Sequence, residues 1–367
     1  MSKIPNETSE TPFIQQTDFE RITTFVSAEF QTEEALIDHN VPTFYLKQPQ
    51  ETKQAFLRLL KNLKTMNLTA VLKRKDGKVM LKTIPKPPVK PSNILVNWLL
   101  FFVTIGTTFL TGYILSSELT DPLIGGAAFT IAIMAILGMH EMGHKLTADR
   151  EGIEATPPYF IPGPPPIGGV FVGIGTFGAL IMQKSLPPNK DALFDVGASG
   201  PIVGFIVTII ATIVGIPFSI YDWVPKGSPT LPVPALFRLV APFLLPPFEM
   251  APPSPGLEYV SVVILHPVAF AGWIGMVVTM LNLLPAAMLD GGHVARCLAG
   301  EKTRAVLTIL SVLLLVLTDF WPMAILVLFL SSYKHPGPLD DVSDLSTGRK
   351  LLSILLIAVF VLSFPFF

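Results

Sequence analysis

The chain has 367 residues, half of them hydrophobic and only 14% charged, with a mean hydropathy of +0.56. That is the composition of a polytopic membrane protein and excludes a large soluble enzyme. A formal net charge of −1 gives no electrostatic footprint for nucleic acid, and a lone cysteine, Cys297, excludes an internal disulfide and a cysteine-based metal site.

Residues 1 to about 92 are polar and read as a small α+β domain with its linker. Met1 to Asp18 is rich in Ser, Thr, Asn and Gln and reads as loose, without the basic start and early apolar core of a signal peptide. Thr52 to Lys64 carries Phe56, Leu57, Leu59, Leu60 and Leu63 at helical spacing. Thr69–Leu72 and Val79–Leu81 flank a turn at Lys75-Asp76-Gly77 and read as a hairpin, with Phe44–Leu46 as a further strand. Pro85 to Pro91 is a stiff, basic linker.

Asn93 to Leu115 is long and apolar enough for a first membrane span, and Pro122 to about Met142 for a second. Lys73, Arg74, Lys75, Lys82, Lys86 and Lys90 crowd the N-terminal side of the first span, and Lys145 and Arg150 follow the second. The positive-inside rule then puts the N-terminal domain in the cytoplasm and returns the second span to that side. Tyr159 to Gln183 is proline-rich, then glycine-rich, and too broken for a spanning helix; it reads as a re-entrant loop or strand beside a cavity. Val196 to Ile216 is a third span, opened by Gly197-Ala198-Ser199-Gly200-Pro201, small residues that allow close helix contact. Pro217 to Leu257 reads as an outer loop, and Glu258 to Leu284 as a fourth span including His266 and Asn282. Ala305–Leu317, Trp321–Ser331 and Leu351–Phe367 are further apolar runs, giving about six or seven membrane segments in all. The divisions are then 1–92, a membrane core at 93–333, and a C-terminal loop and apolar segment at 334–367.

Two polar clusters interrupt this apolar background. The second span ends in Met139-His140-Glu141-Met142-Gly143-His144. Residues four apart share a helix face, so His140 and His144 can hold one metal ion with Glu141 beside it as general base, the H-E-x-x-H arrangement of zinc peptidases. The fourth span ends in Asn282-Leu283-Leu284-Pro285-Ala286-Ala287-Met288-Leu289-Asp290-Gly291-Gly292-His293, which topology returns to the same side. A catalytic zinc needs a third ligand, for which Asp290, His266 and His293 are the candidates. Asp290 is preferred, because Pro285 and the Gly291-Gly292 pair break the helix and let its carboxylate turn inward. Asn282 offers an amide for substrate backbone or an oxyanion. An ion-binding transporter is the competing reading, but it calls for ionisable residues scattered at mid-span, and no internal repeat is evident.

His140-Glu141-x-x-His144 paired with Asn282-x-x-Pro285-x-x-x-Leu289-Asp290-Gly291 resembles the site-2 protease family of intramembrane zinc metalloproteases. The similarity runs from Asn93 to roughly Ser331, including Gly175-Thr176-Phe177-Gly178-Ala179 and Gly197 to Pro201, with no evident PDZ-like insertion. It implies one Zn2+ held by His140, His144 and Asp290, with Glu141 catalytic; apart from the resemblance, the chain is expected to be an integral protein of the cell membrane. The resemblance also implies a strand near Gly175, Thr176, Phe177 and Gly178 that holds unwound substrate, and transmembrane protein substrates cleaved inside the lipid bilayer.

Overall fold

Hydrophobic spacing divides the chain into two kinds of element, short amphipathic ones near the N-terminus and long apolar ones after it. The computed structural model describes residues 16–88, 91–116, 119–166, 173–248, 258–318, 320–333 and 335–366. Two compact units emerge: Met1–Lys90 with Leu186–Lys190 and Gly337–Asp344, and Pro91–Ser185 with Asp191–Pro336 and Leu345–Phe367.

In the first unit, α1 (Gln16–Glu29) precedes β1 (Thr32–Asp38), β2 (Val41–Leu46), α2 (Lys53–Lys64), β3 (Leu68–Lys75) and β4 (Lys78–Pro85). The sheet runs β1-β2-β4-β3, antiparallel throughout. Alternation along β4 buries Val79, Leu81 and Thr83, and α2 buries Phe56, Leu59 and Leu63 with Ile22 and Val26 of α1 in one core. Helix α1 was not expected. Its polar sequence hides Ile22 and Val26, four residues apart, which are 1% and 0% exposed. The rest of the stretch expected to be loose, residues 1–15, lies outside the described residues. Two later segments complete the unit. The Leu72 amide donates to the Leu339 carbonyl and the Asp341 amide to that of Leu72, extending the sheet past β3, while the amides of Leu339 and Asp340 donate to the carbonyls of Pro187 and Pro188. Asp340 is fully buried and accepts the amides of Val342 and Ser343.

The second unit opens with α3 (Ile94–Leu115), whose first turn is capped by the Asn93 side chain, and α4 (Pro122–Arg150), capped by Asp121 with Pro122 as its first residue. Gly112 and Gly126 let the two helices touch, since an added methyl would meet Phe129 on one side and the Phe109 carbonyl on the other. A short hairpin follows, β5 (Tyr159–Pro162) with β6 (Thr176–Leu180), and then α5 (Lys190–Gly215). The expected strand is thus present at its C-terminal end; Gly168, Gly169, Val170, Phe171 and Val172 lie outside the described residues.

The expected outer loop contains β7 (Ile220–Pro225), β8 (Val233–Pro234) and α6 (Ala235–Leu244). The expected fourth span is divided. Tyr259–Ile264 is strand β9, paired antiparallel with β7, and only Pro267–Leu283 is helix α7. Val260, Val262, Val263 and Ile264 are β-branched, and hydropathy alone reads such a run as membrane helix. Helix α8 (Asp290–Leu317) kinks at Gly300, where φ is 78°. It is followed by α9 (Trp321–Ser331), α10 (Thr347–Ser363) and β10 (Pro365–Phe366), which pairs with β8. Leu356 and Val359 of α10 pack with Leu193, Phe194 and Phe205 of α5 in one apolar cluster, and Arg349 ties the same helices through Asp191 and Asp195. Among the described residues three helices, α3, α4 and α5, are long and apolar enough to cross a membrane; α6, α7 and α9 are shorter apolar helices. This is an α-helical membrane protein with a small N-terminal α+β unit.

Candidate metal centre

Helical periodicity builds half the site. His140 and His144 lie one turn apart on α4, 4% and 6% exposed, with their Nε2 atoms 3.1 Å apart. Asp290, the first residue of α8, supplies the rest: its Oδ2 is 3.3 Å from each of those nitrogens. Three donor atoms from two helices, α4 and α8, therefore face one point. A tetrahedral ion with ligands at about 2.0 Å sets its donors about 3.3 Å apart, so the residues present fit a metal ion without rearrangement. Two imidazoles and a carboxylate are the donor chemistry of a catalytic zinc, with a fourth position open.

The neighbours hold both histidine rings in place. The Nδ1–H of His144 donates to the Val196 carbonyl at 2.7 Å, which leaves Nε2 as the free lone pair. Helix α5 presses on both rings through a face of small residues. A methyl on Gly200 would overlap the His144 ring, one on Gly204 would lie 2.9 Å from His140 Nδ1, and one on Gly143 would lie 2.8 Å from the Ser199 carbonyl. The spacing of Gly197, Gly200 and Gly204 on a helix was the available signal for a close approach; that the approach is to the histidine rings comes from the fold alone.

The turn before Asp290 differs in mechanism from the sequence expectation. Gly291 and Gly292 do not end a helix. They sit in the first turn of α8, and a methyl on either would collide with the carbonyls of Leu283 or Ala286. Their smallness lets α8 start hard against the turn 284–289, where Ala287 takes a left-handed φ of 46°.

Glu141 is 7% exposed, with Oε1 4.0 Å from His140 Nε2, and Ile181 just beyond β6 lies near its carboxylate. The hairpin thus ends beside the acid. Asn282, in the last turn of α7, brings its amide nitrogen within 3.5 Å of His140 Nε2. Of the hairpin residues, Gly175 (φ 75°) lies against α3 and its carbonyl accepts the Thr107 hydroxyl at 2.6 Å. Thr176 is buried and donates to the Ile161 carbonyl, whereas Phe177 is 69% exposed and Gly178 has open space where a side chain would be.

Neither of the two other ligand candidates joins the triangle. His266 caps the opposite end of α7, accepting the Val268 amide, about 25 Å of helix away from Asn282. His293 turns its Nδ1 to His335 Nε2 at 2.8 Å. That histidine pair has no sequence signature, since its members are far apart in the chain.

Fold and donor set together define a membrane protein with an H-E-x-x-H cluster that could hold a metal ion, carried on apolar helices. The chain belongs to peptidase family M50, the site-2 protease family, which it matches over residues 128–318, more than half its length and both halves of the centre. It is 27% identical over 255 residues to the probable zinc metalloprotease EGY1, chloroplastic, of Arabidopsis thaliana, covering 68% of this chain and 44% of that one. It is 30% identical over 236 residues to the protein of the same name from Oryza sativa subsp. japonica (62% and 38%), and 26% over 311 residues to Arabidopsis EGY2 (79% and 53%). The chain therefore spans about half the length, or less, of the curated relatives it matches. No solved structure matches it.

Proposed function

We propose that the chain is a zinc-dependent endopeptidase that hydrolyses peptide bonds within transmembrane segments of membrane-tethered proteins. The observation that carries this is the triangle of His140, His144 and Asp290 with Glu141 at its edge, set among apolar helices. The names of the relatives, probable zinc metalloproteases, support the same metal and the same chemistry. The transporter reading has no support among them.

His140, His144 and Asp290 would hold the ion. Zinc, when bound, supplies Lewis acidity that polarises a carbonyl and eases deprotonation of water. Glu141 takes the proton of the attacking water and passes it to the departing amide nitrogen. Asn282 donates its side-chain amide to the substrate carbonyl, whose oxygen gains charge as water adds. An intramembrane substrate is helical and shields its own backbone, so it must be unwound before it is cut. The β6 edge around Phe177 offers an extended backbone for that form and an exposed ring for an apolar side chain, with the turn at Gly178 held by the Thr176 hydroxyl.

For the wider protein, α3, α4, α5 and α7–α10 make up six or seven membrane segments around a core at about 93–333. The Lys and Arg residues before α3 favour a cytoplasmic N-terminal unit, in a cell membrane. Both are checked by protease protection and fractionation.

The test is cleavage of a single-span substrate in proteoliposomes. The wild type cleaves inside the span. Glu141→Gln retains zinc and loses cleavage by several orders of magnitude; full cleavage by that variant would overturn the mechanism.

A further inference from the structure

Asp290 is a ligand only if the turn before it points the right way, and that turn needs support. Residues 284–289 join α7 to α8 in a short turn, and Ala287 within it adopts a left-handed backbone that a residue with a Cβ disfavours. Both backbone polar groups of Ala287 are met by side chains from α8 beyond the Gly300 kink. The Arg304 guanidinium donates from Nη1 to the Ala287 carbonyl at 2.9 Å, and the Ala287 amide donates to Thr308 Oγ1 at 3.1 Å. Arg304 is 5% exposed and is itself held in a fork by Glu301, Nε to Oε2 at 3.0 Å and Nη2 to Oε1 at 2.7 Å. Glu301 also pairs with Arg296 at 3.3 Å.

We propose that Arg304 is a positioning residue for the metal centre: with Thr308 it locks Ala287 and so fixes where Asp290 enters the ligand triangle. A buried guanidinium has simpler uses than a bond to one carbonyl, and burying it is costly unless it is paired. Here its planar fork engages a carboxylate with two nitrogens and has the third left for the turn, a geometry lysine cannot reproduce. The kink at Gly300 belongs to the same device. A straight α8 would carry Arg304 along the direction set by Asp290, whereas the break at φ 78° redirects the second half, and from there Arg304 and Thr308 meet the turn. The clamp touches neither the metal ligands' donor atoms nor Glu141, so it acts only through the path of the backbone.

This inference rests on the proposed reading of His140, His144 and Asp290 as zinc ligands, and the experiment separates the two. Zinc affinity of the detergent-purified full chain is measured by chelator competition for wild type, Arg304→Gln, Arg304→Lys and Thr308→Val, beside thermal melting of each in the metal-free state. Arg304→Gln lowers zinc affinity about tenfold or more, as loss of a group that orients a ligand does. Arg304→Lys falls between it and wild type, because an ammonium reaches the carbonyl without the fork. Thr308→Val lowers affinity by a smaller factor, and it carries the test if Arg304→Gln does not fold. Wild-type zinc affinity in Arg304→Gln, or in Thr308→Val where that variant stands in, with only the metal-free melting lowered, would overturn the proposal and leave the arginine a purely structural residue. Absence of zinc from the folded wild type would instead overturn the ligand assignment on which it rests.

Discussion

Gly200→Ala puts one methyl group against the metal centre and isolates packing from chemistry. The new carbon would sit far inside the 3.4–4 Å of ordinary contact from three atoms of the His144 ring. Two responses are open. Helix α5 can retreat from α4, a form of overpacking that costs about 1–3 kcal/mol. Alternatively His144 can rotate away, which gives up its bond to Val196, worth about 1 kcal/mol net, and moves Nε2 from a position that metal geometry fixes to about 0.2 Å. Retreat must open other close approaches within two turns, at Gly143 and Gly204, so the ring yields or both change together. Either way zinc affinity falls about tenfold or more, equivalent to about 1.4 kcal/mol. Chelator competition measures it, and metal-free melting gives the stability part separately. Gly106→Ala is the matched control: it adds the same methyl to α3, where nothing lies within 4 Å, and the better helix former leaves stability unchanged or raised by up to about 1 kcal/mol. Wild-type zinc affinity in Gly200→Ala would refute the claim that α5 holds the histidines in place.

Three further outcomes follow from the same geometry. Asn282→Ala keeps zinc and lowers kcat by about 100-fold, the scale for loss of one oxyanion donor, in a steady-state cleavage assay. Phe177→Ala keeps zinc and kcat while KM for an extended-segment substrate rises several-fold; an unchanged KM would remove β6 from substrate binding. His266→Ala lowers the melting temperature through loss of a helix cap worth about 1 kcal/mol, and leaves zinc content and cleavage untouched.

The two motifs were legible because they follow from local periodicity and chain direction. His140 and His144 meet by the 3.6-residue turn alone, and the ends of α4 and α7 return to one side once the spans are read from hydropathy. The glycine- and proline-broken stretch before Leu180 read as a re-entrant loop or strand, and the resemblance to the family pointed to the strand that Thr176–Leu180 forms. What stayed hidden needed tertiary contact. Tyr259–Ile264 is as apolar as the helix that follows it, so average hydropathy merged the two, and only its β-branched residues hinted at β9. The roles of Gly291 and Gly292 were misassigned because a glycine pair reads as a helix breaker; packed against the carbonyls of Leu283 and Ala286 it is a point of close approach instead. Arg304 and the His293–His335 pair carry no local pattern, since their partners lie 17 and 42 residues away.

On the proposed reading, residues from two distant motifs share one metal ion. Zinc content of the detergent-purified full chain tests it most directly, wild type beside His144→Ala and Asp290→Ala. About one zinc per chain in the wild type, lost or sharply weakened in both variants, is the predicted result. No zinc in a folded wild type, or zinc untouched by either substitution, would contradict it.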